Sequence, residues 1–174
     1  METTIREQLV DTVRAFRLPR YEQITDVGLY LEQVTRFVNT YLRQIGVAEI
    51  TPSMVSNYVK QKTIPGPVKK AYGATSIAYL IFVSLVKNVL SMEDIRLLEG
   101  VQRGMYDDEV QTYDYFCTEF ETVLGAVFAR APLPPVGEES AAAVEGKTIL
   151  RTAVLASVQK IYLDRYLCLL RQSG

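Results

Sequence analysis

The sequence predicts an all-helical protein. Apolar residues recur at intervals of three and four along most of the chain, and Thr51 and Ser91 stand where helix starts need caps. Leu18-Pro19, Gly46, Pro65-Gly66-Pro67 and the Pro-rich stretch 131–139 punctuate the runs. At 174 residues the chain is long enough to bury a core and is sized for one domain with an appendage.

Ile5, Leu9, Val13 and Phe16 share one face of a short amphipathic helix over 2–16, which Leu18-Pro19 ends. A longer helix is expected from about Asp26 to Gln44, carried by Leu29, Val34, Phe37, Val38, Tyr41 and Leu42 and stopped by Gly46. At Thr51-Pro52 the signal is sharpest, because a Thr side chain caps free N–H groups and Pro needs no N–H at the first helical position. That helix should run to about Lys62, since Pro65 disfavours helical geometry before it.

An almost continuously apolar helix follows from Thr75 to Leu90, including Ile77, Leu80, Ile81, Phe82, Leu85, Val86 and Val89, and is expected to be the central strut. Ser91 caps the next helix, with Glu93 and Asp94 favourably placed in its first turn. Residues 106–129 read as a helix that is acidic early and apolar late. A last helix, within Ser140–Leu170, is too apolar to stand alone in water and must pack on its predecessor or on another subunit. The domains expected are an N-terminal amphipathic helix over 1–17, a core domain over 18–104 and a C-terminal helical pair over 105–174, with the linker at 131–139.

Composition narrows the function. Histidine is absent, which removes the commonest general acid/base and the commonest metal ligand. No Gly-rich phosphate loop, G-x-S-x-G elbow or Cys-x-x-Cys pair occurs, and Asp107-Asp108-Glu109 lacks the glycine and alternating ligands of a cation loop. The expectation is a protein that is not an enzyme and has no cofactor and no metal. Cys117 and Cys168 fit a reducing compartment, and the start has no apolar signal-peptide core. The longest uncharged run, Ala71 to Val86, is too short for a membrane span, so a cytoplasmic location without membrane contact is expected.

Net charge is −1, but its distribution is uneven. Residues 50–92 carry Lys60, Lys62, Lys69, Lys70 and Lys87 and no acid, whereas 93–121 carry nine acids against Arg96 and Arg103. At 100° per residue, Ser53, Ser56, Asn57, Lys60 and Gln61 share one face of the Thr51 helix, while Met54, Val55, Tyr58 and Val59 fill the other. An acid-free face of Ser, Asn, Gln and Lys suits the B-DNA major groove, although a solvated surface helix would look similar.

The run T-P-S-M-V-S-N-Y-V-K-Q-K-T-I-P, then G-P-V-K-K-A-Y, then A-Y-L-I-F-V-S-L-V-K-N-V-L-S-M-E-D-I resembles the MerR-type winged helix-turn-helix over about 45 residues. More narrowly, L-P-R-Y-E-Q-I from Leu18, I-T-P-S-M-V-S-N-Y-V-K and I-P-G-P-V-K-K-A-Y with I-A-Y-L-I-F are similar to the bacterial family catalogued as domain of unknown function 1836, over about 18–100. The MerR resemblance implies a recognition helix over 52–62 followed by a basic wing. It places Tyr58 where such helices keep a supporting Tyr that can reach a phosphate, and Lys70 and Tyr72 at the wing's end. Ser56 and Asn57 replace an Arg-Tyr pair, Val59 replaces a Glu, and the wing is several residues shorter, so base preference does not carry over.

Ser53, Ser56, Asn57, Tyr58, Lys60, Gln61, Lys62, Lys69, Lys70 and Tyr72 are therefore the expected DNA-binding residues of a regulator that binds double-stranded DNA as a homodimer. Its C-terminal helices would supply the dimer contact or a pocket for a small-molecule effector. A second reading stays open: a protein-interaction module that keeps the fold and presents Ser53–Gln61 and the acidic 93–121 region to another protein.

Overall fold

A computed structural model describes residues 4–24, 28–137 and 140–174. The expectations placed on residues 1–3, on Asp26 as a helix start and on the last two residues of the Pro-rich stretch lie outside the described residues.

The described chain is all-helical. Helix α1 (Ile5–Arg14) starts where Thr4 Oγ1 accepts from the Glu7 N–H and the Glu7 carboxylate accepts from the Thr4 N–H at 2.8 Å, a reciprocal cap. A single 3-10 turn, Tyr21–Gln23, follows. Then come α2 (Leu31–Gln44), α3 (Pro52–Lys60), α4 (Ala74–Val86), α5 (Met92–Arg103), α6 (Glu109–Ala129) and α7 (Ala141–Ser173). Among the described residues no strand forms, and two isolated antiparallel bridges, Leu29 with Tyr72 and Val68 with Ala71, are the β pairing present.

Two helix ends depart from the periodicity. Leu29, counted above in the stripe of α2, lies outside it: Gly28 takes φ +75° and Leu29 exchanges both backbone hydrogen bonds with Tyr72, at 3.0 and 2.7 Å. A residue held in an extended bridge cannot also sit in a helix, so α2 starts at Leu31. Likewise α4 stops at Val86, and Val89 is left partly exposed.

Helix α4 is the strut. Its Ile77, Leu80, Ile81, Phe82, Val83, Leu85 and Val86 are all buried, and it touches α2, α6, α7 and the 3-10 turn. Helix α7 packs along α6, with Leu150, Val154, Val158 and Ile161 buried and Arg151 paired to the buried Glu119. Leu9 and Val13 of α1 are buried as that helix packs on α6 and α7, and Phe16 meets the Phe120 ring edge-on at 6.3 Å. Beyond this core the end of α7 leaves Leu163, Leu167 and Leu170 exposed at helical spacing. Among the described residues no helix is long and apolar enough to cross a membrane.

The segment Leu18–Tyr21 is locked to α6. Arg20 forks onto both carboxylate oxygens of Glu121, at 2.6 and 3.0 Å, and Glu121 also accepts from the Leu18 N–H at 2.9 Å. Asp114 accepts from the Tyr21 N–H at 2.8 Å, and the Tyr113 hydroxyl donates to the Pro19 carbonyl at 2.8 Å. Cys117 is fully buried beside the same carbonyl, and burial pushes its thiol up to about 12, which keeps it protonated and unreactive.

Candidate nucleic-acid interface

Helix α3 owes its start to Thr51, whose Oγ1 accepts from the Met54 N–H at 3.2 Å, and to Pro52 at the first helical position. Val55 and Tyr58 are buried, and Met54 and Val59 are half-buried. That fixes the helix's rotation: Ser53, Asn57, Lys60 and Gln61 are exposed, and Ser56 is partly so.

The helix ends in a Schellman closure. The Thr63 N–H donates to the Tyr58 carbonyl at 2.9 Å and the Lys62 N–H to the Val59 carbonyl at 3.0 Å, with Lys62 at φ 58° in the left-handed position that glycine usually fills. Arg96 of α5 donates from Nη1 to the Gln61 carbonyl at 3.0 Å, setting a cation against the negative end of the helix dipole. On the other side, buried Asn39 of α2 braces the α2–α3 connection. Its Nδ2 donates to the Ile50 carbonyl at 2.9 Å and its Oδ1 accepts from the Ile50 N–H at 2.8 Å. Glu49, the acid nearest α3 in sequence, is paired with Arg43 at 2.8 Å.

After α3 the chain turns back on it. A Cβ added at Gly66 would lie 3.2 Å from Val59 Cγ1, so the backbone there lies close against the end of α3, and Ser76 Oγ donates to the Pro65 carbonyl at 3.0 Å. Val68 and Ala71 exchange backbone hydrogen bonds at 2.9 and 3.0 Å around Lys69 (φ 50°) and Lys70 (φ 65°). Positive φ at both central residues defines a type I′ turn, whose usual occupants are Asn and Gly. Left-handed backbone costs a non-glycine residue about 1–2 kcal/mol.

Of the ten residues expected at the interface, Ser53, Asn57, Lys60, Gln61, Lys62, Lys69 and Lys70 are exposed and Ser56 is half-exposed. Tyr58 and Tyr72 are buried, at 6% and 4% exposure, and burial raises both phenols above their usual range. Their rings support the surface from beneath. The bonds made by Asn39 and Arg96 are not legible in the sequence, because nothing local marks a mid-helix Asn or an Arg among acids as a partner for a distant carbonyl.

Much of the acidic region is engaged within the molecule. Asp114 and Glu121 hold the Leu18–Tyr21 segment, Glu119 pairs with Arg151, Asp108 caps α6 and Glu99 is buried.

The family model described as Domain of unknown function (DUF1836) matches residues 19–118. The chain belongs to that family. No curated protein and no solved structure is significantly similar to it. The matched stretch closes on itself: Pro19 and Tyr21 at its beginning are bonded to Tyr113 and Asp114 near its end. In this DUF1836 chain the family segment contains α2 to α5 and the start of α6 with Tyr113 and Asp114, whereas Glu121, which pairs with Arg20, lies just beyond it.

Proposed function

We propose that this DUF1836 chain is a cytoplasmic, sequence-specific DNA-binding transcriptional regulator. Helices α2 and α3 act as a MerR-like helix-turn-helix, α3 enters the major groove, and the Lys69-Lys70 turn is a trimmed wing at the phosphates. One observation carries this reading. Lys62, Lys69 and Lys70 all occupy left-handed backbone positions where Gly or Asn would be more stable, beside a helix face without an acid. Strain held by exposed cations on one short segment is what selection for a polyanionic partner would maintain. The internal engagement of Asp114, Glu119 and Glu121 supports this reading over a protein-binding acidic surface.

A single short helix and a small turn bury too little surface for operator affinity, so the regulator acts as a homodimer. The exposed Leu163, Leu167 and Leu170 stripe supplies the contact. The test is binding to fragmented genomic DNA at several salt concentrations, with the oligomeric state measured by light scattering. Selective retention of particular fragments, with affinity that falls as salt rises and is lost in Lys60→Ala, is expected. Salt-independent binding, or none, would sink the proposal, and a wild-type monomer at micromolar concentration would remove the dimer from it.

A further inference from the structure

The cleft between α4, α5, α6 and the 3-10 turn has a volume of about 330 Å³, the lower end of the range for small-molecule sites. It lies away from the groove between α6 and α7 where an effector pocket was expected. Its walls combine aromatic rings with polar and charged side chains. Phe82 and Phe116 meet edge to face at 4.9 Å, Tyr21 and Tyr113 at 6.4 Å, and Tyr79 and Tyr106 complete the aromatic part, with polar residues such as Thr75, Gln102 and Thr112 between them.

Into this lining Glu99 of α5 brings a carboxyl group that is 5% exposed. Among the described residues its Oε1 has no hydrogen-bond partner. An unpartnered buried oxygen costs about 1–3 kcal/mol, which is rarely retained without use. A neighbouring hollow reaches Glu99 beside the turn after α3, where the hydroxyl of buried Thr63 is also unpartnered among the described residues.

Charge decides what would fit. Three acids line the cleft, Glu99 with exposed Asp107 and Glu109, against the single cation Arg103. Aromatic faces attract cations, and a buried carboxylate wants a positive or donating partner. We infer that this cleft binds a small organic cation, an ammonium group on an aromatic or aliphatic body, with its charge on Glu99 and its body against Phe82, Phe116 and Tyr113.

Burial pushes the Glu99 carboxyl up to about 7, against the weaker opposing pull of Arg103 and Arg96 on its own helix. From other elements it shares its hollows with Lys62, Asp107, Glu109 and the phenols of Tyr21, Tyr79, Tyr106 and Tyr113. A bound cation favours the ionised carboxylate, so affinity should rise as pH passes through that value. For a permanently charged probe the dissociation constant should be about tenfold weaker at about pH 6 than at about pH 8.

The experiment titrates the full chain, without DNA, with benzyltrimethylammonium and phenethylammonium, and with 2-phenylethanol and phenylacetate as neutral and anionic counterparts. Calorimetry and amide chemical shifts report binding. Both cations should bind, shifting α4, α5 and the start of α6, with the counterparts at least about tenfold weaker. Glu99→Gln should abolish the pH dependence and the cation preference, and Arg103→Gln, at an exposed position, should tighten cation binding. The inference is overturned if neither cation binds at millimolar concentration, if the neutral compound binds equally well, or if Glu99→Gln leaves affinity and pH profile unchanged. Because no DNA is present, its failure and that of the regulator reading are separable.

Discussion

Arg96 Nη1 lies 3.0 Å from the Gln61 carbonyl oxygen, so α5 closes the C-terminal end of α3 from outside. Gln61 caps α3 and Arg96 belongs to α5, and the contact fixes where the basic turn departs. Arg96→Ala should fray the last turn of α3 and lower stability by about 1 kcal/mol, a modest value because Arg96 is exposed. Faster hydrogen exchange at the Gln61, Lys62 and Thr63 amides is the measurement. Unchanged protection there would show that the Schellman closure holds alone.

The strained lysines predict an opposition between stability and binding. Lys62→Gly should raise stability by up to about 1 kcal/mol. The pair Lys69→Asn with Lys70→Gly, the preferred type I′ sequence, should do at least as well. DNA affinity should fall in both, the salt slope shrinking by about one per phosphate-contacting lysine removed. Paired thermal melts and salt titrations decide. Full retention of DNA affinity with the gain in stability would leave the lysines without a role at phosphate.

Asn39 gives a prediction about the fold alone. Its amide satisfies both backbone groups of buried Ile50. Asn39→Ala leaves an N–H and a carbonyl buried and unpaired, which should cost about 2 kcal/mol in urea denaturation. Asn39→Asp should not restore stability, because a carboxylate can accept from the Ile50 N–H but has nothing to donate to the carbonyl.

Glu99 sets a pH dependence of folding. Its carboxyl lies at about 7 in the fold against 4.5 as a free side chain, so the folded state holds the proton more tightly. The neutral form's contribution is present below about pH 4.5 and is lost as pH climbs to about 7. Glu99→Gln, which cannot ionise, should flatten that slope and gain up to about 3 kcal/mol at about pH 8. Denaturation midpoints of both forms across that window are the check. Parallel curves would mean that the carboxyl is hydrated.

The order and approximate bounds of the helices among the described residues, the caps at Thr51 and Ser91 and the inward faces of α3 and α4 were determined by the sequence alone. These follow from side-chain periodicity and from the capping chemistry of single residues, which are local. That locality is also why periodicity alone starts α2 too early. Leu29 has the right spacing for the helix, but its backbone is claimed by Tyr72, a partner far along the chain. The polar face of α3 was visible because burial of Val55 and Tyr58 rotates the helix in the only way its apolar residues permit.

Tertiary structure decided the rest. Leu18, Pro19, Arg20 and Tyr21 carried the family resemblance without showing why, and their reason lies in α6, where Tyr113, Asp114 and Glu121 receive them. Acids that composition presented as a charged region became internal partners. Lysines placed on a recognition helix and a basic wing became occupants of left-handed backbone, and Glu99, one acid among nine in its stretch, became a buried carboxyl in a cleft with aromatic walls. Pairing, burial and backbone handedness depend on which distant segments meet, and that is settled when the helices pack.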